Sequence, residues 1–155
     1  MKYNKNVKKA EFINRPNRFN AVVKLEEEEI TVHVPNTGRC GELLVEGYTV
    51  FLREENNPTR KTQYDLIAVY KANKLISMDS QIPNKVVEEA LKNKKIKKLV
   101  KYTNILREKT FGKSRFDFNI SNDLGAKNDV DIFAYNCIVT EDGIEINEEV
   151  EIILT

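Results

Sequence analysis

Two arginines three residues apart, Arg15 and Arg18, precede an apolar run that opens at Phe19. Guanidinium groups where a loop enters a strand suit backbone phosphates, because each fork donates several N–H groups at once. Arg60 and Lys61 follow Asn57-Pro58-Thr59 and stand at a second loop-to-strand junction, another favoured place for such contacts. Asn36-Thr37-Gly38 offers backbone N–H groups and a hydroxyl to a phosphate. Each group also has a plainer explanation. The arginines could be solvated surface charges, and Asn36 to Gly38 a simple turn, since Asn and Gly tolerate positive φ.

Other chemistry is sparse. His33 is the single histidine, with no Cys or second His at metal spacing, so a structural role is expected. Cys40 and Cys137 are far apart and form neither a zinc pattern nor a disulfide framework, which points to a reduced, cytoplasmic setting. The densest basic run is Lys92, Lys94, Lys95, Lys97, Lys98 and Lys101. It could track a polyanion, or be a solvated face interrupted by inward Ile96 and Leu99. Tyr48, Phe51, Tyr64 and Tyr70 could stack on bases, but strand alternation sends most of them inward.

Charge is unevenly spread. Residues 1–120 carry 24 Lys and Arg against 15 Asp and Glu, a balance of +9; residues 121–155 carry one Lys against nine acids. A basic body with an acidic tail suggests a polyanion partner. At 155 residues, 41% hydrophobic and 32% charged, the composition is globular and excludes disorder. The lysines of the N-terminal residues precede no apolar run, so a secretory signal is not expected, and no stretch reaches the roughly 18 apolar residues of a membrane span.

Short β-like runs fill the first half: residues 19–25, 30–34, 48–53, 63–71 and 74–78, with charged or Asn/Pro/Gly-rich turns between them. Five short strands in about 65 residues predict a small closed barrel of the OB type, since closure removes exposed edges. After Pro83 the period changes. Asn84 reads as an N-cap, Val87, Ala90 and Leu91 as an apolar stripe, and residues 93–95 as the end of a helix. Strands are expected again at 99–106, 116–120, 131–140, 144–146 and 150–154. The division predicted is an OB-like barrel over residues 1–82 and a smaller part over residues 83–155.

Several of these motifs, in order, resemble the sugar fermentation stimulation protein A (SfsA) family. They are Arg15-Pro16-Asn17-Arg18-Phe19; His33-Val34-Pro35-Asn36-Thr37-Gly38, with valine at the usual cysteine; Asn57-Pro58-Thr59-Arg60-Lys61; Pro83-Asn84; and Glu108 followed by Gly112-x-Ser114-Arg115-x-Asp117-Phe118. The tail from Val130 to Leu154 resembles the family's C-terminal end. The resemblance implies an α+β protein: a five-stranded OB-like β-barrel followed by an α/β part shaped like restriction-endonuclease cores, here reduced. Such cores pair an Asp with a later E-x-K or D-x-K, which hold a divalent metal and help activate water. Asp117 matches the first carboxylate. No D/E-x-K follows it, and a stretch of several tens of residues before the tail is absent.

Glu108 and Asp117 are therefore expected to be remnants, with Asp117 the one candidate for Mg²⁺ and no cofactor otherwise. The implied function is nucleic-acid binding, DNA in particular, by Arg15, Arg18, Asn36, Thr37, Arg60 and Lys61, with a regulatory link to sugar metabolism and no membrane partner. A Mg²⁺-dependent nuclease and a protein-interaction module are the alternatives.

Overall fold

The computed structural model describes residues 1–3, 5–111, 113–131, 137–140, 143–146 and 153–154. Its backbone forms two compact units. One comprises residues 2–81 with 139–143; the other comprises residue 1, 82–138 and 144–155.

The first unit is a closed five-stranded barrel. Strands β1 (Val7–Asn14), β2 (Asn20–Leu25), β3 (Glu28–His33), β4 (Thr49–Glu54) and β5 (Tyr64–Lys71) run in the order β3-β2-β1-β4-β5. A parallel pairing of β3 with β5, His33 opposite Asp65, closes it. β6 (Lys74–Ser77) extends the sheet beyond β5 through a two-residue turn, Ala72-Asn73, with both residues at positive φ. That turn matches the right-handed twist of the strands it joins. Glu26-Glu27 turns β2 into β3 in the same way, at φ 49° and 70°.

The expected set of barrel strands requires one correction. Val7–Asn14 was not anticipated, whereas residues 74–77 lie outside the closed ring. The reason is the double duty of β1. Its first half pairs with β4, Val7 opposite Arg53 through Glu11 opposite Thr49. Its second half pairs with β2, with a register shift between Phe12 and Asn14. A strand bent between two partners keeps only a short alternation, here Ala10 and Phe12 buried on either side of exposed Glu11. That pattern is faint among the lysines. The core contains Phe12, Val23, Val32, Val50, Leu52, Leu66 and Val69.

In the second unit, α1 (Ile82–Lys92) holds Pro83 in its first turn, where the missing N–H costs nothing. The helix thus starts two residues before Asn84, whose side chain donates to Asp117 Oδ1 at 3.1 Å instead. A 3₁₀ turn at Lys97–Leu99 leads to β7 (Asn104–Phe111), so the strand expected at 99–106 begins later. β7, β8 (Ser114–Ser121), β9 (Lys127–Asp131) and β12 (Ile153–Leu154) form an antiparallel sheet in the order β12-β9-β8-β7. β10 (Cys137–Thr140) pairs with β11 (Gly143–Ile146). Val87 and Leu91 of α1 pack with Leu99, Tyr102, Phe118, Ile120 and Val130. Gly112 of the fifth motif, and parts of the runs 131–140 and 150–154, lie outside the described residues.

If β1 is a full barrel strand, Phe12→Ala removes a side chain that is only 3% exposed. The expected cost is about 3–5 kcal/mol of unfolding free energy, read from urea midpoints. A cost below about 1 kcal/mol would place β1 outside the cooperative core.

Candidate nucleic-acid interface

The end of β3 is the meeting point of three loops. His33 is paired on one side with Asn20, the first residue of β2, and on the other with Asp65, near the start of β5. The loop 15–19 therefore ends, the loop 34–48 begins and the loop 55–63 ends around one spot on the barrel rim.

Arg15 joins the first two loops. Its Nη1 donates to the carbonyls of Gly38 (2.6 Å) and Arg39 (2.9 Å), and its Nη2 to those of Arg18 and Asn36 (both 2.6 Å). Asn17 Oδ1 accepts the N–H groups of Phe19 and Asn20, and Asn36 Oδ1 accepts that of Gly38. The side chains of Asn17 and Asn36 thus fold their own loops, as short Asx turns do.

The third loop is held by a network of charges around Asp65, which is 5% exposed. Oδ1 of Asp65 meets Arg60 Nη2 and, at 3.0 Å, His33 Nδ1; Oδ2 accepts from Arg53 Nη2 at 3.1 Å. Arg53 also donates Nε to Glu55 at 2.7 Å and Nη1 to Asp79 at 3.4 Å, and Glu55 takes Lys5 on its other oxygen. The network links β3, β4, β5, the 55–63 loop and the segment after β6. Burial pushes the Asp65 carboxyl up, but hydrogen bonds from Arg60 and His33, with their charges, outweigh it and hold the group below the usual carboxylate range. Glu55 behaves alike: burial raises it, and Lys5 and Arg53 bring it down on balance. Within the loop, Asn57 Oδ1 accepts from both the N–H and the hydroxyl of Thr59.

The rim thus gathers the residues that the sequence singled out, but it uses them differently. Arg15 and Arg60 spend their guanidinium groups on carbonyls and on Asp65. Asn36 is half-buried in its turn. Arg18, Thr37 and Lys61 are exposed, as is Arg39, which sequence reasoning passed over. Among the described residues, Arg18, Arg39 and Lys61 have no carboxylate partner. Arg53 and Asp65 were also missed. The signal for them is a charge at the end of one apolar strand, Val50 to Arg53, facing a charge at the head of another, Asp65 to Tyr70.

Among the described residues, the second unit brings no comparable group together. Glu108, at φ 52°, turns its carboxylate to Arg115 at 2.6 Å. Asp117 accepts from Asn84, while Asn119 donates to Asp129 at 2.7 Å. Among the described residues no three His, Cys, Asp or Glu side chains converge to hold a metal ion. Of the lysine run, Lys92 pairs with Glu88 and Lys94 caps the carbonyls of Val100 and Tyr102. Among the described residues, no helix is long and apolar enough to cross a membrane.

A barrel of this strand order, with ligand-accessible loops at one rim and a helix-and-sheet unit after it, defines an OB-barrel protein with an appended α+β part. Residues 13–78 match the model of the SfsA N-terminal OB domain, and residues 81–133 that of the sugar fermentation stimulation protein RE domain. The chain belongs to the SfsA family. It is 69% identical over 121 residues to the sugar fermentation stimulation protein homolog of Clostridium tetani, covering 78% of this chain and 53% of that protein. It is 58% identical over 149 residues to the homolog of Clostridium kluyveri, covering 96% and 61%. The structure of Pyrococcus furiosus SfsA in complex with Ca²⁺ is similar at a TM-score of 0.69 and 26% identity, over 81% of this chain and 53% of that one. The chain thus spans about half to three-fifths of the length of these relatives.

The lowered carboxyls have a consequence for stability. A carboxyl that binds protons less tightly in the folded state than in the unfolded state stabilises fully above the unfolded value, about 4. That contribution disappears as pH falls through the lowered folded values. Unfolding free energy should therefore be flat from pH 7 to about 5 and fall below about pH 4. Asp65→Asn should cost about 3 kcal/mol at pH 7 by leaving Arg53 and Arg60 short of a counter-charge, and should flatten the acid limb. Urea titrations at several pH values test both.

Proposed function

We propose that the protein binds nucleic acid, DNA in the first instance, through phosphate contacts at the barrel rim. The observation that supports this most is the exposure of Arg18, Arg39 and Lys61, without carboxylate partners among the described residues, on loops held together by Arg15 and Asp65. Rigid loops presenting uncompensated cations suit a polyanion, and contacts of this kind carry little sequence information. The setting we propose is a reduced cytoplasm, consistent with the free thiol of Cys40. A regulatory role in sugar metabolism rests on the family's name and gives no chemistry of its own.

The nuclease alternative draws on the family's RE domain and on the Ca²⁺ of the Pyrococcus relative. This chain has no D/E-x-K after Asp117, and Arg115 engages Glu108. Our reading is therefore binding without cleavage. Plasmid and single-stranded DNA should stay intact in Mg²⁺ or Mn²⁺, and cleavage that Asp117→Ala abolishes would restore the nuclease.

Binding itself is tested by fluorescence anisotropy across a salt series. Log affinity should fall linearly with log salt, and Arg18→Ala and Lys61→Ala should each reduce that slope by roughly one unit for every sequence tried. Lys98→Ala, an exposed change in the second unit, should leave the slope close to the parent's. No binding at low salt would end the proposal, and an equal effect from Lys98→Ala would move the site off the rim.

A further inference from the structure

Among the described residues, four cations stand over aromatic rings: Lys8 over Tyr64, Lys9 over Phe51, Lys101 over Tyr102 and Arg18 over Phe19. The first three rings belong to buried residues, at 9%, 3% and 3% exposure respectively; Phe19 is 52% exposed. A single exposed apolar side chain is ordinary. What distinguishes Phe19 is how firmly its backbone is held beneath the ring.

Its N–H donates to Asn17 Oδ1 at 2.8 Å, and its carbonyl accepts from the N–H of Val34 at 2.7 Å. The carbonyl of Arg18 accepts from Arg15, and the N–H of Asn20 donates to Asn17. The peptide groups on both sides of the ring are fixed. The phenyl group therefore meets solvent with little backbone freedom left to lose when something binds it. Its surroundings are cationic. The Arg18 guanidinium lies 5.7 Å from the ring centre, and Arg39, whose carbonyl is held by the same Arg15, is exposed nearby in the clamp.

We propose that Phe19 is a stacking platform for an unpaired nucleobase, with Arg18 and Arg39 on the adjoining phosphates, so that this rim takes single-stranded nucleic acid in preference to duplex. The proposal rests on the nucleic-acid reading above and adds the strand state of the ligand. A phenyl ring needs a free base face. In a duplex both faces are covered by neighbouring pairs, whereas in a single strand they can be splayed onto an aromatic side chain. Every base has such a face, so the platform tolerates any sequence. The cations beside it supply the attraction to phosphate that a bare apolar patch would lack.

The test compares a labelled thymidine oligonucleotide of about a dozen residues with a duplex of equal length, a size within reach of one OB barrel. The parent should bind the single strand more tightly. Phe19→Ala should weaken single-strand binding about tenfold, leave duplex binding unchanged and keep the salt slope, since no phosphate contact is removed. Phe19→Trp should retain affinity, and because the chain has no tryptophan of its own, quenching of the introduced indole reports stacking directly. Thermal melts confirm that both variants are folded. Single-strand binding by Phe19→Ala within about twofold of the parent, or an unquenched indole at saturation, overturns the platform. The phosphate reading survives that result if Arg18→Ala still lowers the salt slope. Absence of binding by the parent to either strand form at low salt overturns both.

Discussion

The first unit depends on a carboxylate that has been taken out of water. Asp65 sits at the head of β5, where the chain crosses from loop to barrel, and its oxygens are divided among His33, Arg53 and Arg60. A buried charge is tolerable only when paired and hydrogen-bonded, so each partner is committed to one place. That commitment fixes the closing contact of β5 with β3 and orients the 55–63 loop. A network of apolar side chains of equal volume could give the same stability. It would not set the direction of a loop in the same way, because apolar contacts lack directionality.

A division of labour follows among the basic residues of the rim. Arg15, Arg53 and Arg60 face inward and build. Arg18, Arg39 and Lys61 face outward. Residue type does not separate the two groups; partners do. Arg15 and Arg18 share one short motif, yet among the described residues the first bonds four carbonyls and the second none. The three-residue spacing brings Arg15 back onto the carbonyl of Arg18, so the inward arginine holds the outward one in position.

Much of the barrel was legible in the sequence because strands 20–25, 49–54 and 64–71 carry dense β-branched and apolar residues with clear turns between them. β1 was not legible, since Val7-Lys8-Lys9-Ala10-Glu11-Phe12 serves two neighbours and alternates over only a few positions. The helix was found, but it begins at Ile82, ahead of the expected cap: Asn84 has the chemistry of a cap and is used instead to reach Asp117. For the rim, the motifs lie on loops that the pairing of His33 with Asn20 and Asp65 brings to one end of the barrel. They could not tell which charges would be consumed internally, because that depends on Arg53 meeting Asp65 across a sheet register. Arg39 carried no motif signal at all; its place follows from the Arg15 clamp.

The way Arg15 is held has a kinetic side. Carbonyl oxygens accept from its two Nη groups without carrying a net charge, so the guanidinium is held in place while its positive charge is left uncancelled. Had carboxylates done the holding, as they do for Arg53, the field outside would be close to neutral. The uncancelled charge of Arg15 acts over roughly a Debye length, about 8–10 Å at physiological ionic strength. On the proposed reading, a flexible polyanion passing at that range would be drawn in and oriented before any contact forms, which would raise the frequency of productive encounters.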